Sequence, residues 1–383
     1  MRWSLRFLNS LEMSYKDVFY FVAMCLTISQ EKKNKQIIEA RLKQNDIDWE
    51  FVVEVSTGHY VFPAMYCALK REGFLTYLPQ ELLNFMEHVA DTNRDRNTQI
   101  ISQAKELNTF LLSHNITPIF LKGTANLLAG LYNDITERMV GDIDFLFSSE
   151  DYPKAIQVLE EHGYCKTVES TTKHPYPWNK HYPRLVKKGK IAAIEIHDNL
   201  LKEGYSNRFN YNTVKSSIQF VGDFAMLSEA NMLNLSILAN QINDDQFFYK
   251  RISLRNAYDV FLLSKKCNAN NAVNTISKLS HPLHCFLAAC SEVFNSPDSL
   301  TYTQTKQTKA YLKLFKELIT NSRKAKRRHT RIKFYIHLKL ILTKFYKAVI
   351  YKQYRIWLFY YIIDVKSYNK QLDIWSTLLK KNG

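Results

Sequence analysis

Two carboxylates stand two residues apart in Asp142-Ile143-Asp144-Phe145-Leu146. In a strand, side chains two apart share a face, so both acids project together while Ile143 and Phe145 enter the core. Anionic oxygens so close repel unless a cation lies between them. Mg²⁺ suits that place, because this hard ion takes one or two carboxylates and leaves its other positions to water and substrate phosphates. A second alternation, Ile194-Glu195-Ile196-His197, puts Glu195 and His197 on one strand face and offers a third carboxylate. Three such acids can hold two divalent ions, one lowering the pKa of an attacking hydroxyl, the other neutralising a leaving pyrophosphate. His197 reads as a partner that orients Glu195 or touches phosphate, or as a hydrogen-bonded histidine at a strand end.

Leu121-Lys122-Gly123-Thr124 adds an anion-binding candidate. Gly123 at a strand-to-helix turn lets backbone come close to a phosphate, and the amides that follow are donors to it. Lys122 would add a point charge and Thr124 a hydroxyl. Arg138, four residues before Asp142, reads either as a bidentate phosphate clamp or as a salt bridge that ties its loop down.

The elements that must position these groups are legible from the pattern. Apolar spacing predicts helices within the first hundred residues, among them a buried one over Val18 to Ile28 and a long one from Asn93 to His114. The period then changes. Ile116 to Leu121 reads as a buried strand, Gly123 to Leu131 as a helix, Ile143 to Phe147 as a second strand, and Ser149 to His162 as a helix closed by Gly163. Arg184 to Val186, the turn Lys187-Lys188-Gly189-Lys190 and Ile191 to His197 read as a hairpin. Helical periodicity returns in Met226 to Ala239 and Leu254 to Ser264, where Arg255 and Asp259 are spaced for an ion pair. The fold class is α/β (α+β): a small core at 101–220 between a helical region at 1–100 and a helical domain at 221–322, with a basic amphipathic tail at 323–383.

Charge divides the chain. Of 52 Lys and Arg and 36 Asp and Glu, the stretch from 301 onward holds 20 basic and 3 acidic residues, a net of +17, so the first 300 residues carry −1. On a tail helix Lys333, His337, Lys344, Lys347 and Arg355 recur at helical steps, with Phe334, Leu338, Ile341, Phe345 and Val349 as an opposing stripe expected to face the core. The basic face is either merely solvated or a docking surface for a polyanion such as RNA, an acidic glycan or an anionic membrane surface. Only 10 Gly and 9 Pro among 383 residues exclude collagen-like and low-complexity classes. Six cysteines without a CxxC pair indicate neither a disulfide framework nor zinc, and no apolar run is long enough for a transmembrane segment; the expectation is a cytoplasmic protein.

Taken together, Leu121-Lys122-Gly123, Leu131-Tyr132, Arg138, Gly141-Asp142-Ile143-Asp144-Phe145-Leu146, Ala155, Leu159, Gly163-Tyr164 and Ile194-Glu195-Ile196-His197 resemble the nucleotidyltransferase superfamily with the DNA polymerase beta-like fold. More narrowly they resemble a poorly characterised bacterial family of nucleotidyltransferase proteins, as do Asp48-Trp49 and Leu254-Arg255-Asn256-Ala257-Tyr258-Asp259 on the flanks. The superfamily's usual turn is Gly-Ser or Gly-Gly, where this chain has Lys122-Gly123-Thr124. The resemblance implies a mixed-sheet core and a transfer of a nucleotidyl group from an NTP to an acceptor hydroxyl or phosphate, with two Mg²⁺ ions (Mn²⁺ as the alternative) on Asp142, Asp144 and Glu195. It implies that Lys122, Gly123, Thr124, Arg138 and His197 hold the nucleotide, and it suggests a sugar-phosphate acceptor in surface-polysaccharide metabolism. Competing readings are a toxin-type transferase acting on RNA and a nucleotide- or polyanion-binding module without turnover.

Overall fold

The computed structural model describes residues 13–167 and 176–363. Thus residues 364–383, the end of the tail region, and the first twelve residues lie outside the described residues. The helices α1 (Tyr15–Cys25), α2 (Lys32–Gln44), α3 (Trp49–Gly58), α4 (Phe62–Arg71) and α5 (Gln80–Ser113) come first. Then follow β1 (Ile119–Leu121), α6 (Lys122–Leu128), β2 (Asp142–Leu146), α7 (Asp151–Glu161), β3 (Cys165–Lys166), β4 (Leu185–Val186), β5 (Ala193–His197), α8 (Tyr211–Val214), β6 (Ile218–Val221) and β7 (Phe224–Leu227). The chain continues as α9 (Glu229–Leu238), α10 (Gln246–Tyr249), α11 (Leu254–Ser264), α12 (Ala269–Asn274), α13 (Ser280–Val293), α14 (Lys306–Thr320), α15 (Ser322–Ile350) and α16 (Lys352–Ile363).

The seven strands form one mixed sheet in the order β3-β4-β5-β2-β1-β7-β6. Its centre is built from the alternating segments. β2 lies parallel to β5, with Ile143 opposite Ile194, Asp144 opposite Glu195 and Leu146 opposite His197. On its other edge β2 runs antiparallel to β1, with Leu121 opposite Asp144. β4 pairs antiparallel with β5 through Leu185 and Ile194, as the hairpin reading expected. The antiparallel pair β6–β7 replaces the start of the helix expected from Met226, because Ala225, Met226 and Leu227 are buried in the sheet before Ser228 caps α9.

Period-2 residues on one face of the sheet go into the core: Ile143, Phe145, Ile194 and Ile196 are each fully buried. Phe120 sits between Phe145 and Phe224, with ring centroids 5.0 and 5.6 Å away. A single cluster of buried apolar side chains runs from Val18 to Phe315, so the helical flanks and the sheet share one core. α5 runs unbroken through both segments that carry helical spacing, and its Asn93 and Asn97, one turn apart, donate amide hydrogens to the carbonyls of Thr136, Ile135 and Arg138. That fixes the loop leading into β2.

The tail departs from expectation. α15 and α16 are helical as predicted, but the stripe expected to face the core is turned outward: Phe334, Leu338, Phe345 and Val349 are exposed. The docked side is instead the one bearing Lys347, which pairs with Glu203, together with Tyr354 and Trp357.

Candidate active site

Register brings the acidic face together. Because Asp144 lies directly opposite Glu195 and Asp142 is two positions back on β2, three carboxylates from two neighbouring strands share one face of the sheet. Asp144 and Glu195 are buried and Asp142 is half-buried. Two cations hold the acids in place. Lys122 Nζ lies 2.5 Å from Asp144 Oδ1 and 3.8 Å from Glu195 Oε2. Arg184 Nη2 lies 2.7 Å from Glu195 Oε1 and 3.0 Å from Asp142 Oδ2. Lys122 begins α6 with a φ of 53°, in the left-handed region that non-glycine residues avoid, and its ion pair opposes that strain.

Charge follows from these contacts. Burial, then the negative charges of Asp144 and Glu195, push the Asp142 carboxyl up from its ordinary value. Burial also opposes ionisation of Asp144, but the Lys122 ammonium and the His197 ring outweigh it and hold that carboxyl low. Glu195 is held low in the same way, against burial, by His197, Lys122 and Arg184. Lys122 is held above its usual value despite burial, by Asp144 and Glu195.

His197 enters this cluster by way of its ring nitrogens. Nδ1 lies 3.3 Å from the Asn199 carbonyl and Nε2 2.8 Å from Asp144 Oδ1. With a proton on Nε2 the ring donates to Asp144; without one, Nε2 offers a lone pair beside Asp144 and Glu195 that a metal cation could accept. Ligand atoms of Asp144, Glu195 and His197 all lie within 4.8 Å of one another. Two oxygens and an imidazole nitrogen at that spacing fit a divalent cation.

The other expected site residues stand behind this face. Thr124 is buried, and its hydroxyl donates to the Asp142 carbonyl. Gly123 is in close packing: an added Cβ would lie 3.0 Å from Val140 Cγ2 and 3.6 Å from Arg138 Cζ. The Arg138 fork is engaged by Asp259, with Nε 3.1 Å from Oδ1 and Nη2 3.0 Å from Oδ2, so it ties the loop before β2 to α11. Tyr132 donates to the same Asp259 at 2.6 Å. The neighbouring Glu137 pairs with Arg71 and accepts from Tyr258, which pins that loop to α4 and α11 as well. The expected pairing of Arg255 with Asp259 is absent among the described residues; Arg255 lies over the Tyr60 ring, 5.0 Å from its centroid.

Beside the carboxylates opens a cavity of about 230 Å³, lined by Lys122, Asp142, Lys180, Asp244, Arg255 and Asn256 among others. Lys180 has no carboxylate within ion-pairing distance among the described residues, and Arg255 Nε is buried without a hydrogen-bond partner. Burial and the charge of Lys122 lower Lys180; burial and Arg138 lower Arg255. A larger cavity of about 580 Å³ shares Asp244, Arg255 and Asn256 with the first and adds Tyr60, Arg251 and Lys326.

A model of an uncharacterised nucleotidyltransferase family matches residues 45–295. The chain belongs to that family. The matched span contains both strands that carry the acids and the helices α4, α5 and α11 clamped around them, and it leaves α15 and α16 outside. Membership supports nucleotidyl transfer in general terms and implies an NTP as substrate. No curated protein matches the chain.

Three residues of the site escape a reading of the sequence. Arg184 was legible in principle, since alternation about Leu185, buried against Ile194, turns it to the acid face. Lys180 lies in a segment without periodicity. Arg255 was spaced for Asp259, and only the fold reveals that Arg138 takes that carboxylate.

Proposed function

We propose that the protein is a divalent-metal-dependent nucleotidyltransferase that moves a nucleotidyl group from an NTP to an acceptor hydroxyl or phosphate. The observation that carries this reading is the register of β2 with β5, which sets Asp144 against Glu195 with Asp142 on the same face. Asp142, Asp144 and Glu195 would hold the metal, with His197 at its edge. Bound there, Mg²⁺ or Mn²⁺ would supply Lewis-acid neutralisation of phosphate charge and a lowered pKa for the attacking hydroxyl. Three carboxylates against Lys122 and Arg184 leave one negative charge uncompensated, which favours a cation among them.

The protein's own groups do the rest. Lys122 orients Asp144 and Glu195. Lys180 and Arg255, cations without an ion-paired carboxylate among the described residues, line the smaller cavity and bind the triphosphate, a role that the occupied Arg138 fork leaves to them. The acceptor enters from the larger cavity across the shared wall of Asp244, Arg255 and Asn256.

The test is transfer of label from α-³²P NTPs to candidate acceptors in the presence of Mg²⁺. Asp144→Ala or Glu195→Ala should lower the rate by about a hundred- to a thousandfold, as loss of a charge-stabilising group does. Lys180→Ala and Arg255→Ala should chiefly raise the KM for NTP. If Asp142→Ala and Asp144→Ala proteins label acceptor as fast as the parent, the assignment is wrong.

A further inference from the structure

The C-terminal pair α15 and α16 carries an unusual surface. Phe334, Tyr335, Leu338, Leu342, Phe345, Tyr346 and Val349 recur at steps of one, three or four along α15 and are all exposed, Leu342 by 60% and Val349 by 76%. On α16, Ile356, Phe359, Tyr360, Ile362 and Ile363 are exposed as well. Leaving so many large apolar side chains in water is costly, and patches of this extent mark interaction sites. Around them the charge has one sign: residues 322–363 hold twelve Lys and Arg and no Asp or Glu. At the start of α15, Arg323, Lys324, Arg327, Arg328 and Arg331 line a cleft of about 690 Å³.

We infer that α15 and α16 dock this protein onto an anionic phospholipid bilayer, lying in its interface. The two halves of the surface select that partner jointly. Lys and Arg are drawn to acidic headgroups near such a surface, while aromatic and aliphatic side chains enter the headgroup–acyl boundary. RNA would satisfy the cations and stack on the rings, but it offers nothing to Leu338, Leu342, Val349, Ile362 or Ile363. A second copy of the chain would bring a second set of exposed cations against the first, a repulsion that disfavours self-association. Neither helix is long and apolar enough to cross a membrane, so the pair lies on the surface rather than spanning it. The hairpin is fixed to the body, because Lys347 pairs with Glu203 and Trp357 packs on Tyr176, 5.0 Å between ring centroids.

The test uses the full chain and reads no catalysis, so it stands or falls apart from the proposed transfer activity. Protein is floated with vesicles of phosphatidylcholine alone and of phosphatidylcholine with phosphatidylglycerol at about 70:30. Flotation with the mixed vesicles only is expected. The double variant Leu342→Ser, Val349→Ser, which alters side chains already in water and should keep the parent circular dichroism, is expected to bind them at least about tenfold more weakly. Arg327→Gln with Arg328→Gln should weaken binding most at low salt. Three results would overturn the inference: no flotation with anionic vesicles; equal binding by the Leu342, Val349 variant, which would reduce the contact to charge alone; or a dimer in light scattering that the same variant dissolves. A gel shift with RNA stronger than vesicle binding and unaffected by that variant would assign the surface to nucleic acid instead.

Discussion

At the scale of single residues, the site separates groups that face the acids from groups that hold the acids' strands in place. Lys122 and Gly123 are neighbours with different tasks: the lysine reaches Asp144, while the glycine makes room for Val140. Gly123 is needed for space rather than for an unusual backbone, since it has no left-handed φ. Gly123→Ala should therefore destabilise the protein by about 1–3 kcal/mol through overpacking. Val140→Ala should relieve part of that cost, so that urea denaturation of the double variant gives less than the sum of the single effects. Strict additivity would show that the contact is not the cause. The buried pair of Arg138 and Asp259 belongs with Gly123: its contribution is to aim β2, and breaking it by Asp259→Ala should cost about 3–5 kcal/mol because Arg138 would keep its charge in a buried place.

Elements matter here mainly as clamps. α5 supplies Asn93 and Asn97 to the carbonyls of the loop before β2, α4 supplies Arg71, and α11 supplies Asp259 and Tyr258. The hairpin of α15 and α16 is held by a more titratable contact. Glu203 accepts hydrogen bonds from Tyr354 at 2.6 Å and Tyr176 at 2.9 Å and pairs with Lys347. Burial opposes its charge, but Lys347 and the two phenols outweigh it and hold the carboxyl below its ordinary 4.5. A depressed carboxylate contributes stability that is complete above the unfolded value and disappears as pH falls through the folded one. Docking of the hairpin should thus be full above about pH 4.5 and weaken below it. Trp357 fluorescence, reporting its contact with Tyr176, should follow that loss, and Glu203→Gln should remove the transition from this window. A flat response in the parent protein would assign the docking to the aromatic contacts alone.

The whole molecule combines a nearly neutral body with a strongly basic appendage. Its apolar cluster is continuous from Val18 to Phe315, so helices from both flanks and the sheet should melt together although the chain exceeds the usual size for one core. Calorimetry should give one cooperative transition for this body, with the α15–α16 pair, which buries only Ala348 and Trp357 among its own residues, free to loosen earlier. Two well-separated body transitions would mean that the shared core is energetically divided.

The sequence by itself determined the local half of this protein. Period-2 alternation named the two central strands and their acidic faces, glycine and charge placed the helix ends, and composition located the basic tail, because each of these depends on near neighbours along the chain. Tertiary structure decided which groups meet. That Asp144 faces Glu195 depends on strand register, and that Asp259 belongs to Arg138 rather than Arg255 depends on how α11 packs against the loop before β2. The outward turn of the tail stripe has the same origin: amphipathic spacing defines two faces of a helix, but only what packs on one of them decides which face meets water.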